Sequence, residues 1–319
     1  MVSRPDVCKF EKQMAICYNL PHVKIWKNTV GLFVYALLWL VNALYGLVPA
    51  KRAYGLGVVV AYAIYPFFGK RRRIAVDNVL KAGITDDPRE ARRIARASWG
   101  HLAGHICEAL KVPGVITKDN WRSHLDETGC APETARLLLD ETDKPILLVS
   151  AHHGVWEAAT NLISFTRPMI AIARTMNNPY AAKWMKAHHF RGPVTVIDKK
   201  HGFTADIMRQ WKRDNAAMTI LMDQHANPRH AVRCDFLGRP AWTFTTAARL
   251  AIKYGYPIVV GSFVRVAPFK YRLVGGTPLV FGPDTDLAAA TAELNVRLGE
   301  AIRLFPEQYL WAHRRWREK

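Results

Sequence analysis

The chain has 319 residues, with 45 Lys+Arg against 26 Asp+Glu and a formal net charge of +19, and is long enough to bury one large core with appendages. That imbalance predicts an anionic partner. The choices are nucleic acid, an acidic membrane surface or a phosphorylated substrate; ten tryptophans and a 50% hydrophobic content favour the membrane, and no zinc-finger spacing or aromatic ribonucleoprotein motif is present for nucleic acid. Five scattered cysteines (Cys8, Cys17, Cys107, Cys130, Cys234) include no CxxC pair and read as reduced thiols, not as a disulfide frame or zinc site.

In chain order, residues 1–27 are an N-terminal segment expected on the cytoplasmic side, and 28–70 a membrane anchor with an interfacial segment. Within the latter, Asn28 to Ala50 contains no charge ("NTVGLFVYALLWLVNALYGLVPA"), which is long enough to cross a hydrocarbon core of about 20 residues. A second uncharged run, Ala53 to Gly69, is shorter, glycine-rich and broken by Pro66, so it is expected to dip into or lie along the interface. The "GKRRR" that ends it suits anionic headgroups. Residues 71–319 are expected to form the main domain. Asp87 as N-cap, Pro88 in the first turn and Glu90 after it predict a helix start, and Pro113–Gly114 and Gly129–Pro132 predict linkers.

From Pro145 onward apolar runs alternate with amphipathic ones. "PILLVS", "PMIAIA", "VTVIDK", "AAMTILMD" and "PIVVGSFVRV" read as strands, rich in Val and Ile and bounded by turn residues. Phe203, Ile207, Met208 and Trp211 recur at helical spacing, as do Leu294, Leu298, Ile302 and Phe305. The expected fold is α/β: a central, mostly parallel sheet covered by helices, behind an N-terminal membrane-anchoring helical segment.

Ligands of such sheets bind at the carboxyl ends of strands, and three of these ends carry polar groups. "PILLVS" leads to His152, His153 and Glu157, "PMIAIA" to Arg174, and "AAMTILMD" to Asp223 and Gln224. A histidine just ahead of a helix feels the positive end of its dipole and stays neutral, as a base that deprotonates an alcohol must. A carboxylate nearby holds its tautomer. GxSxG is absent, so the substrate is expected to supply the nucleophile. HExxH is absent as well, and His153 with Glu157 lacks a third ligand at metal spacing, so neither metal nor cofactor is expected. Residue patterning leaves open which histidine is the base.

"HHGVWE" resembles the HxxxxE signature of the late acyltransferases of lipid A biosynthesis, the bacterial lauroyl and myristoyl transferases, with His152 and Glu157 at its named positions. Four more stretches match in order: "KRRRIAVDNVL", "ARTMNNP", "MDQ" followed by "FLGRPAWT", and "PEQYLWAHRRW". The resemblance spans the chain from the anchor to Trp316.

It implies an inner-membrane enzyme, its active site facing the cytoplasm, that moves a fatty acyl group from acyl carrier protein to a hydroxyl of a phosphorylated glycolipid. His152 would be the general base and Glu157 its orienting acid, with Asp223 as the alternative carboxylate. Arg174, Asn178, Gln224 and Arg239 fall in the stretches that shape the substrate pocket. The +19 charge suits both a phosphorylated acceptor in an anionic leaflet and an acidic carrier protein. Acylation of a mannolipid, or of a lysophospholipid from coenzyme A, is the enzymatic alternative. A membrane-anchored protein that binds lipid without turnover is another, but it would not need the His152–Glu157 pair.

Overall fold

The computed structural model describes residue 40 and residues 43–140, 143–173, 192–198 and 203–317. From Val48 onward the chain, with 176–185 set apart, makes one compact unit. Its centre is a seven-stranded sheet in the order β1 (Leu125–Asp126), β9 (Lys270–Gly275), β8 (Ile258–Ala267), β2 (Ile146–Ser150), β5 (Ala217–Leu221), β3 (Met169–Ala173), β4 (Val194–Asp198). All neighbours are parallel except β8 and β9. The five expected strands are all present. A separate antiparallel hairpin joins β6 (Ala231–Phe236) to β7 (Arg239–Phe244).

The central strand β2 is buried throughout, as a strand covered on both faces must be. Its alternate side chains feed two cores. Leu147 and Val149 join Met218, Ile220 and Val260 on one face, and Ile146 and Leu148 join Ala217, Val259 and Phe263 on the other.

Eight helices matter here: α1 (Ala50–Ile64), α2 (Gly69–Lys81), α3 (Pro88–Val115), α4 (Pro132–Leu139), α5 (Trp156–Ser164), α6 (Ala205–Arg213), α7 (Thr246–Tyr254) and α8 (Leu287–Leu304). α3 starts as expected, with the Asp87 carboxylate accepting from the Arg89 amide at 2.8 Å. It does not stop where expected. The helix runs through Pro113 and Gly114, and the predicted linker is absent. Proline removes one amide only, and Val112 and Ile116 on either side are buried in the core, so packing outweighs the local breaker.

The expected interfacial run is α1. One stripe, Ala53, Gly57 and Ala61, packs on α3 so closely that a Cβ on Gly57 would stand 2.5 Å from the Ala103 carbonyl. The opposite stripe is exposed and uncharged: Val59 is 66% exposed and Phe67, in the turn that follows, 85%. Most of the expected spanning run, 28–50, lies outside the described residues. No described helix is long and apolar enough to cross a membrane. The compact unit begins ahead of residue 71 and includes α1.

Candidate active site

Strands β2 and β5 lie side by side in parallel, with Ser150 opposite Leu221. Two residues beyond each strand end come His152 and Asp223, so the register delivers both side chains to one place. His152 Nδ1 and Asp223 Oδ1 are 2.9 Å apart. The imidazole is 22% exposed and the carboxylate 2% exposed. An ionised carboxylate only accepts, so Nδ1 carries the proton and Nε2 presents its lone pair. The Gln224 amide nitrogen sits 3.3 Å from that lone pair.

Burial alone would raise the Asp223 carboxyl. Attraction to His152 when that ring is protonated, hydrogen bonds from its side chain and backbone, and Arg315 outweigh burial and hold the group below its usual value. The Tyr309 phenol is pushed well above its ordinary value by burial and by the charge of Asp223, which it bonds, and so it remains a donor.

His153, next in sequence, points away from this centre. It is 0% exposed, and its Nε2 donates to the Phe305 carbonyl at 3.0 Å. Burial lowers it to about 4, against the opposing pull of that carbonyl and of Asp223. Its neighbour across the site, His101, is lowered to about 3, by burial first and by His105 second. Both rings are therefore neutral in the folded chain, whereas in the unfolded chain each titrates near 6.5. Below that value the unfolded chain binds the extra protons. The stability from these rings is fully present above about pH 6.5 and falls as pH drops toward 4, by about 1.4 kcal/mol per unit for each ring. Denaturant unfolding at pH 7.5, 6 and 5 should show this decline, and His153→Gln should make it shallower.

Glu157, the acid of the expected pair, opens α5, and its Oε2 lies 3.9 Å from Nε2 of the buried His105. Trp156 stands between the two histidines, its ring 5.3 Å from His152 and 4.5 Å from His105. The carboxylate bonded to His152 is thus Asp223, the alternative considered from sequence.

The C-terminal stretch 306–316 forms the floor of the site. Leu310 N donates to the His152 carbonyl, and Gly154 N to the Gln308 carbonyl, both at 3.0 Å. Arg315, fully buried, donates to the carbonyls of Gln224 and Trp242 and to the Thr243 hydroxyl, and so ties the loop after β5 to the hairpin. Arg239 is exposed beside the hairpin turn, three residues or about 10 Å of strand from Trp242, and is bonded to none of these groups among the described residues. Arg174 and Asn178 lie outside the described residues. No group of three or more His, Cys, Asp or Glu that could hold a metal is present among the described residues.

Sequence reasoning assigned no role to His101, His105, Tyr309 or Arg315. The first two were within reach: His101, His105 and Glu108 fall at i, i+4 and i+7 on one face of α3, a polar row where the buried stripe runs.

A half-open imidazole, backed by a buried carboxylate at the carboxyl ends of parallel strands, is an arrangement able to take a proton from a hydroxyl. The model of the bacterial lipid A biosynthesis acyltransferase family matches residues 21–318, and the chain belongs to that family: it is an acyltransferase. A comparison with curated proteins gives no match.

Proposed function

We propose that the protein transfers a fatty acyl chain from an acyl thioester, borne by acyl carrier protein, to a hydroxyl of a phosphorylated glycolipid, a lipid A precursor, at the cytoplasmic face of the inner membrane. The observation that carries this reading is the 2.9 Å bond between His152 and the buried Asp223. His152 Nε2 takes the proton of the acceptor hydroxyl as its oxygen attacks the thioester carbonyl. Asp223 holds the tautomer and stabilises the imidazolium, the role that motif spacing assigned to Glu157. The tetrahedral adduct collapses, the carbon–sulfur bond breaks, and the departing thiolate takes the proton back from Nε2. The products are an ester and a free thiol. The Gln224 amide occupies the place of the incoming hydroxyl and must yield to it. Glu157, in the first turn of α5, lies beside His105; Arg174, Asn178 and Arg239 remain candidates for the acceptor's phosphates.

The outer stripe of α1 supports a seat in the membrane interface. Leu56, Val59, Val60, Ile64 and Phe67 are exposed with no charge among them, and Lys51–Arg52 and Lys70–Arg73 bracket them with positive charge. The test is to incubate the full-length protein with acyl carrier protein thioester and vesicles containing a phosphorylated disaccharide lipid. Mass spectrometry should show that lipid gaining one acyl chain. Acylation of lysophospholipid or mannolipid alone would replace the acceptor proposed here. Val59→Asp with Phe67→Asp should lower turnover on vesicles and leave turnover on detergent-dispersed lipid intact.

A further inference from the structure

The loop that carries His152 is bound on every side. The carbonyl of His152 and the amide of Gly154 are taken by the C-terminal stretch, and the Val155 amide donates to the Phe263 carbonyl on β8 at 2.7 Å. Gly154 has φ +67, and a Cβ there would stand 2.0 Å from that same Phe263 carbonyl, so the backbone turns inward where only glycine fits. Its carbonyl points to α3 and meets His101 Nε2 at 2.9 Å. A carbonyl only accepts, so Nε2 carries the ring proton and Nδ1 the lone pair. Tyr54 on α1 completes the arrangement, its hydroxyl 3.1 Å from that Nδ1. Gly100 and Gly104 of α3 have no side chains where the rings of Tyr62 and Tyr54 lie, and the Arg265 guanidinium lies over the Tyr54 ring, 3.7 Å from its centre.

We propose that His101 is a positioning residue for acyl transfer: it holds the Gly154 carbonyl, and through it the loop that aims His152, in a tautomer that the Tyr54 hydroxyl reinforces. The proposal rests on His152 being the base. Without the His101 donor the Gly154 carbonyl is buried and unpaired, a state that drives a loop to rearrange. Gly154 is two residues from His152, and a displacement of about 1 Å at a reacting group costs on the order of 100-fold in rate. The Tyr54 hydroxyl acts one step further back. If it is lost, Nδ1 has no donor from Tyr54 and the Gly154 carbonyl alone selects the tautomer that donates to it.

In the full-length enzyme, His101→Leu should lower kcat by about 10- to 100-fold and leave KM for both substrates nearly unchanged. His101→Gln, whose amide can reach the same carbonyl, should recover most of that loss. Tyr54→Phe should lower kcat by a few-fold. A second readout is independent of turnover: the low-field proton resonance of His152 Nδ1–H in protein labelled at histidine nitrogen. It should shift or broaden in His101→Leu and in Tyr54→Phe, and stay in place in His101→Gln. Equal damage in His101→Leu and His101→Gln, in step with equal losses of melting temperature, would reduce His101 to a packing residue and overturn the proposal. Should His101→Leu fail to fold, Tyr54→Phe carries the test. Wild-type kcat and an unmoved resonance in that variant overturn the proposal too. Full activity in His152→Ala would strike the base assignment beneath it, which is a different failure.

Discussion

His152→Ala should lower kcat by at least about 10³-fold, and Asp223→Asn by a similar factor, with melting temperature and KM for the acceptor little changed. The first removes the group that takes the proton. The second keeps the shape of the carboxylate but offers Nδ1 an amide, which selects the wrong tautomer and leaves the imidazolium without a counter-charge. The order of damage among the carboxylates is the sharper part. Asp223 is bonded to His152 and Glu157 lies against His105, so Glu157→Gln should cost less than Asp223→Asn. Steady-state kinetics on purified variants, with thermal melts as the folding control, decide it. If Glu157→Gln is the more damaging, the orienting acid is the one that motif spacing suggested.

Glu108→Ala should be among the most destabilising single changes in the chain, by about 3–5 kcal/mol. Glu108 is buried on α3. It accepts from Arg265 Nε at 3.0 and 3.1 Å and from the Tyr271 hydroxyl at 3.0 Å, and Arg265 Nη2 lies 3.0 Å away. Its removal strands the guanidinium of β8 and the phenol of β9 without their acceptor on α3. The pair itself contributes little net stability, because two charges have been taken out of water to make it. Glu108→Met combined with Arg265→Met should therefore recover much of the loss. Chemical denaturation of the two variants checks both statements, and a loss below about 1 kcal/mol in Glu108→Ala would mean that water reaches the site. Because Arg265 also covers Tyr54, the same variant should loosen the support behind Gly154.

Much of the fold was legible locally. The runs at 145–150, 168–173, 194–199, 216–223 and 257–266 became β2, β3, β4, β5 and β8, each within two residues at either end. Buried parallel strands need continuous β-branched and aliphatic residues, and turn residues mark their ends. The start of α3 was readable from Asp87 and Pro88 because capping is a contact between near neighbours. Thr204, which accepts from the Ile207 amide, and the buried Trp211 put α6 where the helical spacing had it. β9 and the hairpin were missed. The hairpin turns on Leu237 and Gly238, both at positive φ, without the Asn-Gly or Asp-Gly pair that signals such a turn. At Pro113 the local signal was clear and lost to packing.

The sequence by itself determined the strands, the apolar and basic N-terminal half, and the placing of His152 just past a strand end. Family membership was readable as well, since ordered motifs from Lys70 to Trp316 carry it. The partner of His152 was decided only by tertiary structure. Asp223 is 71 residues away, and it meets the imidazole because β2 and β5 are neighbours with Ser150 opposite Leu221. Strand order is a property of how the helices cover both faces of the sheet, and no local spacing encodes it. The same holds for His153, whose ring a one-residue offset sends to the Phe305 carbonyl, and for His101 and Tyr54, which meet only because Gly57, Gly100 and Gly104 let α1 and α3 approach closely. Spacing along the chain could nominate a carboxylate one turn into a helix. Packing chose the one across the sheet, because a buried imidazole–carboxylate bond needs two strand ends held in register.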